Sequence, residues 1–145
     1  MALRGTPFGG RSEIAKRYLI DGPNVTLVLY TNARNSLGDS TVTADLVQPS
    51  IANGYTPLVL DKAGWSEVNG VLTYLQAAGA NTDPFGNPCW VPTGAWSASV
   101  TGAALVYGTR VLHFKDATDG AGTPTDYVAA TGKRYAVSLA DIIGP

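Results

Sequence analysis

The chain has 145 residues and a formal net charge of −1; 45% of its residues are hydrophobic and 14% are charged. Such a length suits one domain with its own core, and the hydrophobic content is too high for a disordered chain. The near-neutral balance leaves no basic footprint for nucleic acid and no polybasic membrane anchor, and no run of about 18 apolar residues is long enough to span a bilayer.

In chain order, residues 1–11 read as an N-terminal arm. Gly5, Pro7, Gly9 and Gly10 deny it regular structure, and Arg4 and Arg11 keep it solvated. It lacks the apolar stretch of a signal peptide. Residues 12–145 read as a single β-rich domain. Ser12 is placed to cap a short helix whose Ile14, Ala15, Tyr18 and Leu19 make one apolar stripe, and Asp21-Gly22-Pro23 stops it. A first strand is predicted from Asn24 to Tyr30. Val25, Leu27 and Leu29 share one face, Thr26, Val28 and Tyr30 the other, and apolar groups on both sides predict a central strand. Thr31 to Thr41 is a loop; Thr43 to Gln48 is a helical turn or a short strand, too brief for periodicity to decide. A second strand runs from Tyr55 to Leu60, with Pro57 marking an edge or a strand start. Trp65 to Val68 forms a third, and Asn69-Gly70 signals a hairpin into Val71 to Ala77.

Gly79 to Pro88 is turn chemistry throughout. Ala95 to Tyr107 reads as one long strand, with Gly102 marking a bulge or bend. Gly108-Thr109 makes a tight turn into Arg110 to Lys115, and Asp116 to Asp126 is a second flexible loop. Tyr127 to Ala130 and Arg134 to Leu139 flank Thr131-Gly132-Lys133 as a final hairpin. The order shows no internal repeat, linker or second domain. The core is expected to hold Leu27, Leu29, Leu58, Leu72, Tyr74, Trp96, Val100, Leu105, Val111 and Phe114. The fold expected is mainly β: an antiparallel β-sandwich or jelly-roll-like barrel with a short N-terminal helix.

No reaction centre stands out. His113, the only histidine, falls in VLHFK on the face expected to carry Val111 and Lys115, with no nucleophile motif around it. Asp116, Asp119 and Asp126 share a Gly-rich loop, but without the alternating spacing of a calcium loop. Cys89, the only cysteine, permits no internal disulfide and reads as a small buried hydrophobe. Asn24-Val25-Thr26 matches a glycosylation sequon but lies in the predicted first strand. Arg4, Arg11, Lys16 and Arg17 lack the interleaved aromatics of a nucleic-acid surface. Trp65, Trp90, Trp96, Tyr74 and Tyr107 suit a sugar-stacking platform or, as is commoner at strand spacing, a core. The expectation is therefore a non-enzymatic protein with no cofactor, no metal and no small-molecule substrate.

The pieces EIAKRYLIDG, NVTLVLYTN, GYTPLVL, WSEVNGVLTY and VTGAALVYGTRVLHFKD, in that order over roughly residues 12 to 115, resemble small structural proteins of tailed-bacteriophage virions. The resemblance implies a capsid cement or decoration protein made in the host cytoplasm and located in the virion. Its implied partners are the major capsid protein and copies of itself, in a symmetric oligomer. Sparse charge and small side chains suit a surface that becomes covered. Candidate interface residues are Arg4, Phe8 and Arg11 in the arm, with Phe85 and Trp90; the loops Thr82 to Pro88 and Asp116 to Asp126 belong to the same expectation. A tail or fibre-adaptor component and a carbohydrate-binding β-sandwich module are the alternatives.

Overall fold

The computed structural model describes residues 17, 19–68 and 71–139. It is built almost entirely of antiparallel strands. The strands are β1 (Val25–Tyr30), β2 (Leu58–Leu60), β3 (Trp65–Val68), β4 (Val71–Tyr74), β5 (Cys89–Trp90), β6 (Gly102–Tyr107), β7 (Arg110–Asp116) and β8 (Tyr135–Ala136). The expected N-terminal helix falls mostly outside the described residues. Arg17 and Leu19 at its end have helical backbone, and Leu19 is buried in the main core.

A four-stranded sheet in the order β2-β1-β6-β7 organises the molecule. β1 lies inside it, as its two apolar faces predict. It pairs with β2 through Leu27↔Leu58 and with β6 through Leu27↔Leu105. β2 is shorter than its sequence suggests. Pro57 has no N–H to donate, so pairing starts only at Leu58, on an edge. Thr43–Asp45 settles into a 3₁₀ turn, with the Asp45 carboxylate accepting from Val42 N at 2.9 Å.

The sheet has two buried faces. Val25, Leu27, Leu29, Leu60, Ala103 and Leu105 belong to the main core, a cluster shared with Trp65, Leu72 and Tyr74 of the β3–β4 pair and Trp90 of the β5–β8 pair. Val28, Tyr30, Ala104 and Val106 form a second cluster covered by Leu46, with Leu37 beside it. Of the expected core residues, Leu27, Leu29, Leu72, Tyr74, Val100 and Leu105 are fully buried. Leu58 and Trp96 pack at the margin of the main core, Val111 and Phe114 at that of the second cluster.

Three sequence expectations are corrected. The long strand from Ala95 shortens to Gly102–Tyr107, preceded by a single bridge between Val100 and Tyr127. The bulge is not at Gly102. Pairing shifts from Leu105↔His113 to Val106↔Val111, so Leu112 is the extra residue on β7. His113 therefore lies opposite main-core Leu105, while Val111 lies opposite Val106 on the other face. The final hairpin does not form either: Tyr135–Ala136 pairs with Cys89–Trp90 instead. Each half of that expected hairpin finds a distant partner: Tyr127 bridges to Val100 and is buried, and Tyr135 pairs with Trp90 and is partly buried against the core.

An internal repeat is also present. Residues 82–88 (TDPFGNP) and 118–124 (TDGAGTP) share the pattern T-D-x-x-G-x-P and fold into the same turn. In the first, Asp83 Oδ1 accepts from Phe85 N at 2.9 Å and Asn87 N at 2.8 Å. In the second, Asp119 Oδ1 accepts from Ala121 N at 2.8 Å and Thr123 N at 2.9 Å. Gly86 and Gly122 take φ of 87° and 83°, which only glycine adopts without strain. Cys89 N donates to Asn81 O and Thr125 N to Ala117 O, each at 2.9 Å. Each turn follows a VLTY or VLHF strand and precedes an aromatic-Val pair, Trp90-Val91 or Tyr127-Val128. The spacer between strand and turn differs in length, which hides the repeat from an ungapped reading.

The two repeats meet in the core. Tyr55, Trp90, Tyr135, Tyr127 and Trp96 form a closed cycle of ring contacts, with successive centroid separations of 6.2, 6.3, 4.7, 5.7 and 5.5 Å. Tilted and edge-on rings of this kind add to the stability that burial alone supplies.

Candidate interaction surface

The expected interface residues separate sharply. Arg4, Phe8 and Arg11 lie outside the described residues. Trp90 is a correction: it is 0% exposed, and its Nε1 donates to Thr56 O at 2.7 Å. A hydrogen-bonded indole inside the core cannot serve as a surface contact. Phe85, by contrast, is 81% exposed at the tip of the first repeated turn.

The turn around Phe85 is rigid for identifiable reasons. The Asp83 carboxylate takes N–H groups from Phe85 and Asn87, and its second oxygen accepts from Asn87 Nδ2 at 3.0 Å. Burial pushes this carboxyl up, but the hydrogen bonds from Asn87 and Phe85 outweigh it, and the group lies below the ordinary carboxylate range. Pro84 presets φ within the turn. Leu75, at 51% exposure, adjoins the same loop: a Cβ on Gly86 would come within 3.3 Å of Leu75 Cδ2.

The aromatic side chains do not make a sugar platform. Trp65, Trp90 and Tyr74 are buried, and Trp96 packs against the core with its Nε1 donating to Asn53 O at 3.0 Å. Tyr107, at 47% exposure, is the one of the five that stands open. Trp65 Nε1 is buried with no hydrogen-bond partner among the described residues.

His113 lines an open depression of about 330 Å³ with Asp39, Thr41 and Phe114. Burial lowers its pKa, and the nearby Lys115 lowers it further. Cys89 is buried, and burial pushes its thiol up, away from thiolate chemistry. Asp119 spends its carboxylate on its own turn. Asp126 accepts from Arg34 Nη2 at 2.6 Å, while Asp116 lies 3.8 Å from Arg34 Nη1. That ion pair ties the loop after β1 to the loop after β7, which sequence alone does not bring together. Among the described residues no His, Cys, Asp and Glu group is arranged to hold a metal ion, and no helix is long and apolar enough to cross a membrane.

No family model, curated protein or solved structure matches the chain.

Proposed function

We propose that this protein is a non-enzymatic structural component of a bacteriophage virion, a cement or decoration protein that binds the assembled head. The observation that carries this reading is the character of the surface. Large apolar side chains stand exposed at Phe85, Ile51, Val59, Val47 and Val128 on a chain with only 14% charged residues. A surface of that kind suits repeated burial against neighbouring subunits, because charge is depleted at the centre of protein interfaces. The fold that goes with it is a sandwich-like arrangement, in which the four-stranded sheet forms one layer and the smaller strand pairs the other.

A cement protein acts by linkage: it binds the closed lattice better than free subunits and so stabilises it. Quantitative densitometry of virions containing the chain should give hundreds of copies per particle. Stripped heads should release their genome at a lower temperature than decorated heads. A handful of copies would assign the chain to a tail or fibre adaptor instead. Equal release temperatures would remove the cement mechanism.

A further inference from the structure

The likeness between the two repeats runs well past the turns. Each begins with an antiparallel strand pair, β3–β4 or β6–β7, whose second strand carries Val-Leu-x-aromatic: Val71 to Tyr74, and Val111 to Phe114. After the shared turn and the aromatic-Val pair comes Thr-Gly, Thr93-Gly94 or Thr131-Gly132, and then a second aromatic, Trp96 or Tyr135. Both copies close on Ser and an aliphatic residue, Ser99-Val100 and Ser138-Leu139. Residues 65–100 and 102–139 thus hold the same pieces in the same order. The fold brings equivalent pieces together reciprocally. The first aromatic of one copy meets the second aromatic of the other, Trp90 with Tyr135 at 6.3 Å and Tyr127 with Trp96 at 5.7 Å. The two Thr-Gly segments touch, with Gly132 N donating to Pro92 O at 2.8 Å and Thr131 Oγ1 to Thr93 O at 3.2 Å. Reciprocal contact is what a two-fold relation between like units produces. Backbone pairing follows it less closely: Trp90 pairs with Tyr135, whereas Tyr127 bridges to Val100 and not to Trp96.

The copies differ in one step of the strand ladder. In β3–β4 the pairing is unbroken from Val68↔Val71 to Trp65↔Tyr74. Alternation then puts Leu72 and Tyr74 on one face, and both are buried in the main core. In β6–β7 the ladder takes in one residue more between Val106↔Val111 and Leu105↔His113. Leu112 packs against the main core, as Leu72 does, but Phe114 joins the second cluster and meets Tyr30 edge-on at 6.0 Å. The difference suits the surroundings. The β3–β4 pair is a two-stranded sheet, whereas β6–β7 belongs to a sheet with a buried cluster on each face. We propose that residues 65–139 are two copies of one structural unit packed about an approximate two-fold axis. The extra residue in β7 is the change that re-aims Phe114 from the main core to the second face. One residue is enough, because a one-residue shift of register turns a side chain to the other side of a sheet. This relation holds whether or not the chain belongs to a virion.

Single-residue deletions in the full chain test the bulge. Removing His113 leaves Leu112 to face Leu105, and Phe114 keeps its partner Ala104. That chain should unfold cooperatively in urea and retain NMR cross-relaxation between the Tyr30 and Phe114 rings. Removing Thr73 from the unbroken β4 turns Tyr74 to the opposite face, out of a core in which it is 1% exposed. That deletion should abolish the cooperative transition. Two deletions that behave alike, or loss of the Tyr30–Phe114 contact on removing His113, overturn the role given to the bulge. Exchange of a turn reads the two-copy relation independently. Gly120→Pro, Ala121→Phe and Thr123→Asn together write the first turn into the second. The triple variant should unfold at the parent's urea midpoint or above it. A midpoint well below the parent's shows that the turns are not equivalent and overturns the two-copy relation.

Discussion

Gly102 lies directly beneath the Tyr30 ring: a Cβ at residue 102 would sit 2.3 Å from Tyr30 Oη and 2.7 Å from the Lys115 carbonyl oxygen. Tyr30 and Gly102 are also paired across β1 and β6, so backbone register holds the contact in place. The glycine is there to admit a ring. Tyr30 in turn packs edge-on against Phe114, with centroids 6.0 Å apart and planes at 87°. Gly102→Ala should cost about 1–3 kcal/mol, as overpacking does. Adding Tyr30→Phe should not restore stability, because the Lys115 carbonyl clash remains and backbone cannot give way. Urea midpoints of the single and double variants measure both.

The first repeated turn should make the protein acid-sensitive. The Asp83 carboxyl is held below its ordinary 3.8 because the hydrogen bonds from Asn87 and Phe85 outweigh the effect of burial. A depressed acid contributes stability above its unfolded-state value and loses it as pH falls through the folded-state value. Thermal midpoints should drop below about pH 4 for this reason. Asp83→Asn should be less stable at neutral pH and show a flatter acid limb.

At the alkaline end the aromatic cycle has the opposite sign. Burial raises Tyr55 to about 12 and Tyr127 to about 12, and drives Tyr135 higher still. A raised acid contributes stability fully below its unfolded-state value, near 10, and loses it as pH climbs through the folded-state value. Tyrosinate absorbance should therefore rise late and steeply, together with loss of tertiary circular dichroism. A gradual rise centred near pH 10 for all tyrosines would contradict this packing.

His113 adds a milder dependence near neutrality. Burial first, and then Lys115, place its pKa below the ordinary 6.5. The neutral ring is favoured in the folded state, so its contribution is complete above 6.5 and falls away as pH drops through the folded-state value. His113→Gln should remove that slope from a plot of urea midpoint against pH between about 7.5 and 5.

The Arg34–Asp126 pair should matter little for stability despite its 2.6 Å contact. Both side chains are partly exposed, at 25% and 50%, so water screens the attraction. Asp126→Asn should cost less than about 1 kcal/mol at low salt and nothing measurable at high salt. Comparison of denaturation midpoints in the two buffers checks the difference.

Local chemistry was readable wherever it acts over a few residues. Alternation placed β1 and its two apolar faces, Pro57 marked the edge strand, and the glycine and asparagine positions marked the turns. Phe85 falls inside turn chemistry and stands exposed there. Trp90 was named both for the interface and, as the commoner reading, for the core, and the pairing with Tyr135 that buries it is not visible from its near neighbours.

What the sequence by itself determined was strands such as β1, β3 and β7, the two apolar faces of β1 and the positions of the turns, because pleat alternation and turn conformations are settled by sterics between near neighbours. Pairing was decided only in the tertiary structure. β1 had to find β6 across the intervening chain, and β5 had to find β8. Such choices depend on which apolar faces close over one another and on the loop entropy that long-range contacts must overcome. The same holds for the one-residue bulge at Leu112, which moved His113 to the opposite face from Val111. It holds also for the repeated turn, whose likeness becomes plain once Asp83 and Asp119 are seen gathering the same N–H groups.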